Sequence, residues 1–337
     1  MLKKLKKGDS PHIRHSEVTT MLMLDVIIAL LPLYLMAYIY YGPRALLLGA
    51  TGAASALIFG YLCDLFIDRK IHSYDLSTVV TGLILPLLMP ASVSYFLVII
   101  ATFFAVFVVK LPFGGTGYNL FNPAAAGFAF VSVCWPDKLF TYPLPMRQLP
   151  ISWVIEEGEV TYSTAISQML SSGVVPDIDR VDFIMGDFAG PMGVTNSLVL
   201  LACAVYLLLR RAINWRIPLT FFLTSAAFVL LFPRVETTSL LNVLYNLSGS
   251  SLIFGGIFLL NDPVTLPKRN AAKFLYAFWA AIFAMLFQYF SAFDQGIPFA
   301  VIIINVFAPL LDRATEMILQ KIRRKRLEKK QRLGTDL

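Results

Sequence analysis

The hydrophobic positions of this chain come in blocks. From Met21 almost to Gln320 one apolar run follows another, at 21–41, 45–67, 76–89, 94–110, 122–135, 193–209, 217–232, 241–260, 272–290 and 297–318. A run of about 20 apolar residues forms a helix that crosses a hydrocarbon core of roughly 30 Å. The pattern therefore predicts an all-α, polytopic membrane protein of about ten transmembrane helices. Ten is even, so both termini lie on one side of the membrane.

Two blocks do not suit a simple span. Block three, 76–89, is only about 14 residues, roughly 21 Å as a helix, and contains Gly82 and Pro86. It is expected to be a half-helix or strongly kinked. Block eight is interrupted by Asn246-Leu247-Ser248-Gly249-Ser250-Ser251, whose polar side chains and freed backbone groups need partners inside the protein. Three and eight stand in corresponding places in two sets of five. A set of five ends on the side of the membrane opposite its start, so a second copy inserts upside down, as in many transporters. The expectation is two inverted five-helix halves, 21–135 and 193–318, with helices three and eight broken.

Composition agrees with a lipid solvent. Hydrophobic residues make up 57% of the 337 and charged ones 15%, and the mean hydropathy is +0.70, too apolar for a soluble globule to cover. Residues 1–20 begin with a basic stretch, but polar residues through Glu17 separate it from the first block and no cleavage site follows, so it is not a removable signal peptide. The tail at 319–337 carries Lys321, Arg323, Arg324, Lys325, Arg326, Lys329, Lys330 and Arg332, which by the positive-inside rule makes both termini cytoplasmic. Alternating the loops then leaves only Arg44, Lys138, Arg147, Arg180 and Arg234 outside, so that 23 of 28 basic residues face the cytoplasm. The net charge of +7 belongs to that face, where the tail anchors topology and touches lipid headgroups.

The same alternation makes 136–192 an extracytoplasmic loop. Through residue 190 it carries eight acids (Asp137, Glu156, Glu157, Glu159, Asp177, Asp179, Asp182, Asp187) against three bases. Its hydroxyl-dense tract Val160-Thr161-Tyr162-Ser163-Thr164-Ala165 reads either as a modification site or as the capped start of a short helix through Leu170.

Metal chemistry finds no footing. Cys63, Cys134 and Cys203 lie in or beside separate apolar blocks, and His12, His15 and His72 fall in polar segments, so no Fe–S, haem or zinc ligand set assembles. Asp25, about five residues into the first block, is close enough to the interface for a solvated or salt-bridged role. Asn122-Pro123 and Asn261-Asp262-Pro263 read as helix-end turns. The glycines at 114, 115 and 117 match neither a P-loop nor a dinucleotide fingerprint, so the chain does not itself oxidise NADH, and nothing points to nucleic acid.

Several stretches carry a resemblance: Asp75-Leu76-Ser77-Thr78-Val79-Val80-Thr81-Gly82, Gly114-Gly115-Thr116-Gly117-Tyr118-Asn119-Leu120-Phe121-Asn122-Pro123-Ala124, Asn261-Asp262-Pro263-Val264-Thr265, Gly296-Ile297-Pro298-Phe299, Asn305, and Ala308-Pro309-Leu310-Leu311-Asp312. In this order they resemble the D subunit of Rnf electron-transport complexes and, less closely in length, the B subunit of the sodium-translocating NADH:quinone reductase. The resemblance implies a subunit, not catalytic alone, of an ion-translocating ferredoxin:NAD oxidoreductase in the inner (plasma) membrane that moves Na⁺ or H⁺. In that family a threonine of the outer loop carries FMN through a phosphoester, in a pattern of the form Asp-Gly-(Val/Ile)-(Ser/Thr)-x-Ala-Thr. The best register here is Gly158-Glu159-Val160-Thr161-Tyr162-Ser163-Thr164, which puts Thr164 at the acceptor. Ser163 stands where alanine is usual and Gly158 where the acid is, so Thr161 and Ser163 stay open as alternative acceptors. The resemblance further implies a flavin transferase, partner subunits with Fe–S centres and a second FMN, and a riboflavin within the membrane region. An inverted pair of five-helix halves also suits a solute channel or carrier; such a channel has no use for an acceptor threonine in a long polar insertion.

Overall fold

The computed structural model describes residues 16–67, 76–110, 119–156, 158–291 and 293–334. Its first five apolar elements are α1 (Ser16–Tyr41), α2 (Pro43–Ile67), α3 (Leu76–Leu87), α4 (Tyr95–Phe103), continued by a π-helical stretch Phe104–Lys110, and α5 (Pro123–Cys134). The long polar loop at 136–192 holds α6 (Pro136–Leu139), β1 (Tyr142–Pro143), β2 (Tyr162–Ser163), α7 (Ile166–Ser171) and α8 (Arg180–Met185). Five more apolar elements follow. They are α9 (Ser197–Leu209), α10 (Arg216–Leu231), α11 (Ser239–Ser248) running into α12 (Leu252–Phe254) and a π-helical Gly255–Leu259, α13 (Asn270–Phe290) and α14 (Ile297–Gly334). Four of the ten are long and apolar enough to cross a membrane alone, one is a broken pair bent by 68°, and five are shorter apolar helices. The protein is an all-α polytopic membrane protein.

Helix ends follow from local chemistry. Asn122 accepts from the Ala125 amide at 3.1 Å with Pro123 as first helical residue, and Asn196 accepts from the Val199 amide at 2.9 Å. That cap starts α9 at Ser197, four residues inside the block predicted from 193. The third element is a short helix, as expected, and the eighth is broken at Gly249 through Ser251. Shortness is not confined to them, however: α5 has 12 residues, about 18 Å. Gly82 also serves an end other than breaking a helix. A Cβ there would lie 2.3 Å from the Gly52 carbonyl oxygen, and one on Gly52 would lie 2.2 Å from that of Gly82. The two glycines let α2 and α3 touch backbone to backbone, the close crossing that small residues permit in lipid.

Within each set of five the second element packs on the third and fourth, and the fourth on the fifth. Between the sets, α1 packs on α9 and α5 on α14, the first on the sixth and the fifth on the tenth. Two hydrogen bonds repeat this relation at opposite ends of the bundle. Asn122, before the fifth element, donates Nδ2 to the Leu259 carbonyl closing the eighth at 2.9 Å; Gln295, before the tenth, donates Nε2 to the Leu88 carbonyl closing the third at 3.0 Å.

One end gathers residues 42–44, 88–94, the loop 135–196, 232–238 and 293–296. The other gathers 119–122, 210–216, 261–269 and Asp312, as the alternating assignment of loops requires. There Asp25 pairs with Arg210 at 2.9 Å and accepts from the Tyr206 hydroxyl at 3.1 Å, so its role is salt-bridged. The glycines at 114, 115 and 117 lie outside the described residues.

Candidate functional site

Arg44 is the main clamp on the long polar loop at 136–192. Arg44, in the first turn of α2, is fully buried and lies 4.9 Å over the Tyr95 ring. Its guanidinium donates to the carbonyls of Ala91 and Val93, both at 2.9 Å, and of Pro150 and Ser152, both at 2.7 Å. The planar fork, with five donors, can serve four acceptors on two segments at once. It ties the start of α2, the turn after α3 and the middle of the loop together. Tyr40 adds a second tether by donating to the Met185 carbonyl.

The hydroxyl tract lies on the clamped part of the loop. Tyr162 and Ser163 form β2, paired antiparallel with β1 so that Tyr142 faces Ser163 and Pro143 faces Tyr162. The Leu144 amide extends the ladder to the Thr161 carbonyl at 3.0 Å. The three candidate hydroxyls then part company. Thr161 is exposed, but its hydroxyl accepts from Arg147 at 2.9 Å. Ser163 is half-buried in the strand. Thr164 is exposed, and among the described residues nothing hydrogen-bonds its hydroxyl.

The capping alternative for this tract is not what the structure adopts. Ala165, which has no side-chain acceptor, occupies the cap position of α7, and its amide is satisfied by Gln168 Oε1 reaching back at 3.2 Å. Gln168 is the hub of this corner. Its Nε2 donates to the Phe140 carbonyl at 2.9 Å and to the Asp294 carboxylate just before α14. Below it Ile166 and Leu170 pack with Phe183, Phe188, Val235 and Tyr245, seating α7 on α11.

Burial pushes the Asp294 carboxyl up to about 6, against the lowering effect of the Gln168 hydrogen bond. A carboxyl raised in the fold adds stability that is complete below its unfolded value near 4 and is lost as pH rises through about 6. Asp294→Asn should therefore flatten the stability profile between pH 4 and 6. Thermal melts at pH 7.5 should show a gain of up to about 2 kcal/mol that vanishes near pH 4; an unchanged profile would show that the carboxyl is not held where this burial places it.

Beside β2 opens a groove of ≈ 470 Å³. Tyr162, Trp135 and Trp153 contribute aromatic faces, and Lys138 and Asp137 exposed charges of opposite sign, with the buried Arg44 behind them. Small-molecule sites commonly occupy about 300–1,000 Å³, lined by aromatic residues with a few charged ones. Tyr162 is two residues from Thr164, the spacing that puts side chains on one face of an extended chain.

Most residues that carried the resemblance sit at the opposite end. Asn261 Nδ2 closes the eighth element on the carbonyls of Gly256 and Ile257, at 2.9 and 3.1 Å, and Asp262 accepts from the Val264 amide and the Thr265 hydroxyl. Asp312 receives the amides of Lys268 and Arg269 at 2.8 and 3.0 Å, and Asn305 the Tyr276 hydroxyl at 2.7 Å. Asn122 and Asn261 are thus helix-end devices, as their spacing suggested. Between the third and eighth elements, Ser77, Thr81, Asn119, Asn122, Asn261 and Asp262 line a space of ≈ 50 Å³, room for a few waters. The short third element and the broken eighth therefore share a small polar-lined space. Sequence reasoning missed Arg44, Gln168 and Gln295. Arg44 could have been flagged as one of only five basic residues that the alternating assignment puts on the side disfavoured for positive charge; the two glutamines carry no local signal.

Residues 6–319 match the family described as NQR2, RnfD, RnfE. The D subunit of the Na(+)-translocating ferredoxin:NAD(+) oxidoreductase complex of Acetobacterium woodii is 29% identical over 315 residues, 93% of this chain and 94% of that protein. Its counterpart in the proton-translocating ferredoxin:NAD(+) oxidoreductase complex of Clostridium ljungdahlii is 26% identical over 319 residues, covering 92% and 94%. The D subunit of the ion-translocating oxidoreductase complex of Actinobacillus succinogenes is 26% identical over 340 residues, covering 92% and 96%. With the match running over nearly its whole length, this chain is a member of the NQR2, RnfD, RnfE family.

Proposed function

We propose that the protein is the D-type membrane subunit of an ion-translocating ferredoxin:NAD oxidoreductase, and that its outer loop carries FMN as a phosphoester of Thr164. The observation behind the site is the contrast among the three hydroxyls: Thr164 alone is both exposed and without a hydrogen-bond partner among the described residues. A transferase must reach its acceptor, and a hydroxyl with no partner gives up nothing on modification. Formally the ester forms from the Thr164 hydroxyl and the flavin phosphate with loss of one water.

When bound, the flavin accepts and passes on electrons. The chain's part is placement. Arg44 and the Gln168 hub hold the segment around Thr164 against the bundle, and the groove at Tyr162, Trp135 and Trp153 offers faces on which a tricyclic ring stacks. Lys138, exposed at the groove beside Asp137, is the cation placed to meet the negative charge of a flavin phosphate or a reduced ring, since the Arg44 guanidinium is buried and committed to its four carbonyls. The intramembrane space of ≈ 50 Å³ is too small as it stands for a riboflavin. An extracytoplasmic flavin needs electron donors and acceptors nearby, so the partners are further membrane subunits and those bearing Fe–S centres and the second flavin. Cytoplasmic termini follow from the basic residues, and the paired contacts of Asn122 with Leu259 and Gln295 with Leu88 support the division into inverted halves at 21–135 and 193–318.

Inverted membrane vesicles test the function. Deleting this chain should abolish ferredoxin-dependent NAD reduction together with the Na⁺ or H⁺ uptake it drives, and supplying the chain should restore both. Redox activity that survives deletion, with loss only of a solute flux, would establish the channel reading instead.

A further inference from the structure

On the face that bears the outer loop, away from the flavin groove, a cavity of ≈ 430 Å³ opens at the N-terminus of α11. Arg234, Thr237, Ser239 and Asn242 line it, with Glu236 exposed as the one acid among its lining residues. Several of its donors have no partner among the described residues. Arg234 lies 3.8 Å over the Tyr289 ring and gives Nη2 to the Gln288 carbonyl at 2.9 Å, but buried Nη1 has no partner among the described residues. Buried Thr237 Oγ1 has none among them either. Asn242 is only 2% exposed; its Oδ1 accepts from Asn246 at 2.8 Å, while its Nδ2 makes no hydrogen bond among the described residues. Thr238 sits at the helix cap without its hydroxyl capping, so the first-turn amides lack the side-chain acceptor a threonine there would normally supply.

An arginine prong, a hydroxyl, an amide and an uncapped helix N-terminus at one cavity are all donors, and together they fit an anion, above all a tetrahedral oxyanion. The surroundings say which molecule bears it. Leu231 (73% exposed), Phe232 and Leu240 (81% exposed) each neighbour a lining residue in sequence and are bare of protein, as side chains in contact with lipid are. We propose that this cavity binds the phosphate of a phospholipid in the leaflet on the outer-loop side, with its acyl chains along Leu231, Phe232 and Leu240. Because Val235 also packs in the cluster with Ile166 and Leu170, the lipid braces the segment on which α7 rests.

The test titrates the full-length chain in dodecyl maltoside with dioleoylphosphatidylglycerol and reads the rise in Tm, beside two controls, a phosphate-free galactosyl diacylglycerol and millimolar inorganic phosphate. The phospholipid should raise Tm and neither control should match it. Arg234→Gln should weaken the apparent affinity by about tenfold or more, the loss expected for a charge-assisted contact. Should that variant fold poorly through loss of its Tyr289 contact, Thr237→Val decides: its hydroxyl has no protein partner among the described residues, so the lipid-free Tm should hold while the phospholipid shift shrinks. Equal shifts with the galactolipid, or a shift indifferent to both substitutions, would overturn the site. A shift reproduced by inorganic phosphate would overturn the lipid and leave a free-anion site.

Discussion

A Thr164→Val chain made alongside its flavin transferase should fold and assemble like the wild type and carry no flavin on its outer loop. Valine keeps the branched shape and the preference for extended backbone, and the hydroxyl it removes is exposed and bonds nothing among the described residues. Its effect on stability should stay within about 0.5 kcal/mol. Were the hydroxyl a helix cap, the loss would be on the order of 1 kcal/mol, but Ala165 occupies the cap and Gln168 satisfies it. The functional effect should be far larger: with the carrier gone, ferredoxin-to-NAD electron transfer in the assembled complex should fall to background. Full activity in a correctly assembled Thr164→Val complex would remove this residue from the electron path.

Arg44→Met should be the most destabilising single change in the outer region. Methionine fills much of the same space but leaves four buried or half-buried carbonyls, those of Ala91, Val93, Pro150 and Ser152, without their donor. An orphaned buried acceptor costs about 1–3 kcal/mol. The four are not additive, because the loop can relax toward water, so a total on the order of 3–5 kcal/mol is expected. Arg44→Lys should recover less than half, since an ammonium cannot present the fork that reaches both segments. Thermal melts and protease cutting near Trp153 measure both effects, and a clamp of this kind requires the loop to be cut faster in the methionine variant than in the lysine one.

How much of this was legible depends on the length scale of each signal. Apolar blocks are long-range composition, and all ten reappear as helical elements because lipid leaves a backbone few other choices. Their ends depend on single side chains and shifted accordingly. Asn196 starts α9 at Ser197, and α14 runs on to Gly334 because nothing in the basic tail stops a helix that has left the membrane. The π-helical stretches 104–110 and 255–259 were invisible, since one extra residue per turn leaves no mark on hydropathy. Gly82 looked like a breaker; only the position of Gly52 on another helix makes it a contact. The hydroxyl tract showed as a tract, and the register of the resemblance already put Thr164 first; the physical contrast with Thr161 and Ser163 rests on the reach of Arg147 and the pairing of β2 with β1, neither of which is local in sequence.

The central claim is a covalent bond, and proteolytic peptides of the native protein from a producing cell report it directly by mass spectrometry. The account predicts one flavin phosphate on the peptide that spans Thr161, Ser163 and Thr164, with fragmentation placing it on Thr164. That peptide found unmodified throughout, in protein from active complex, would contradict it.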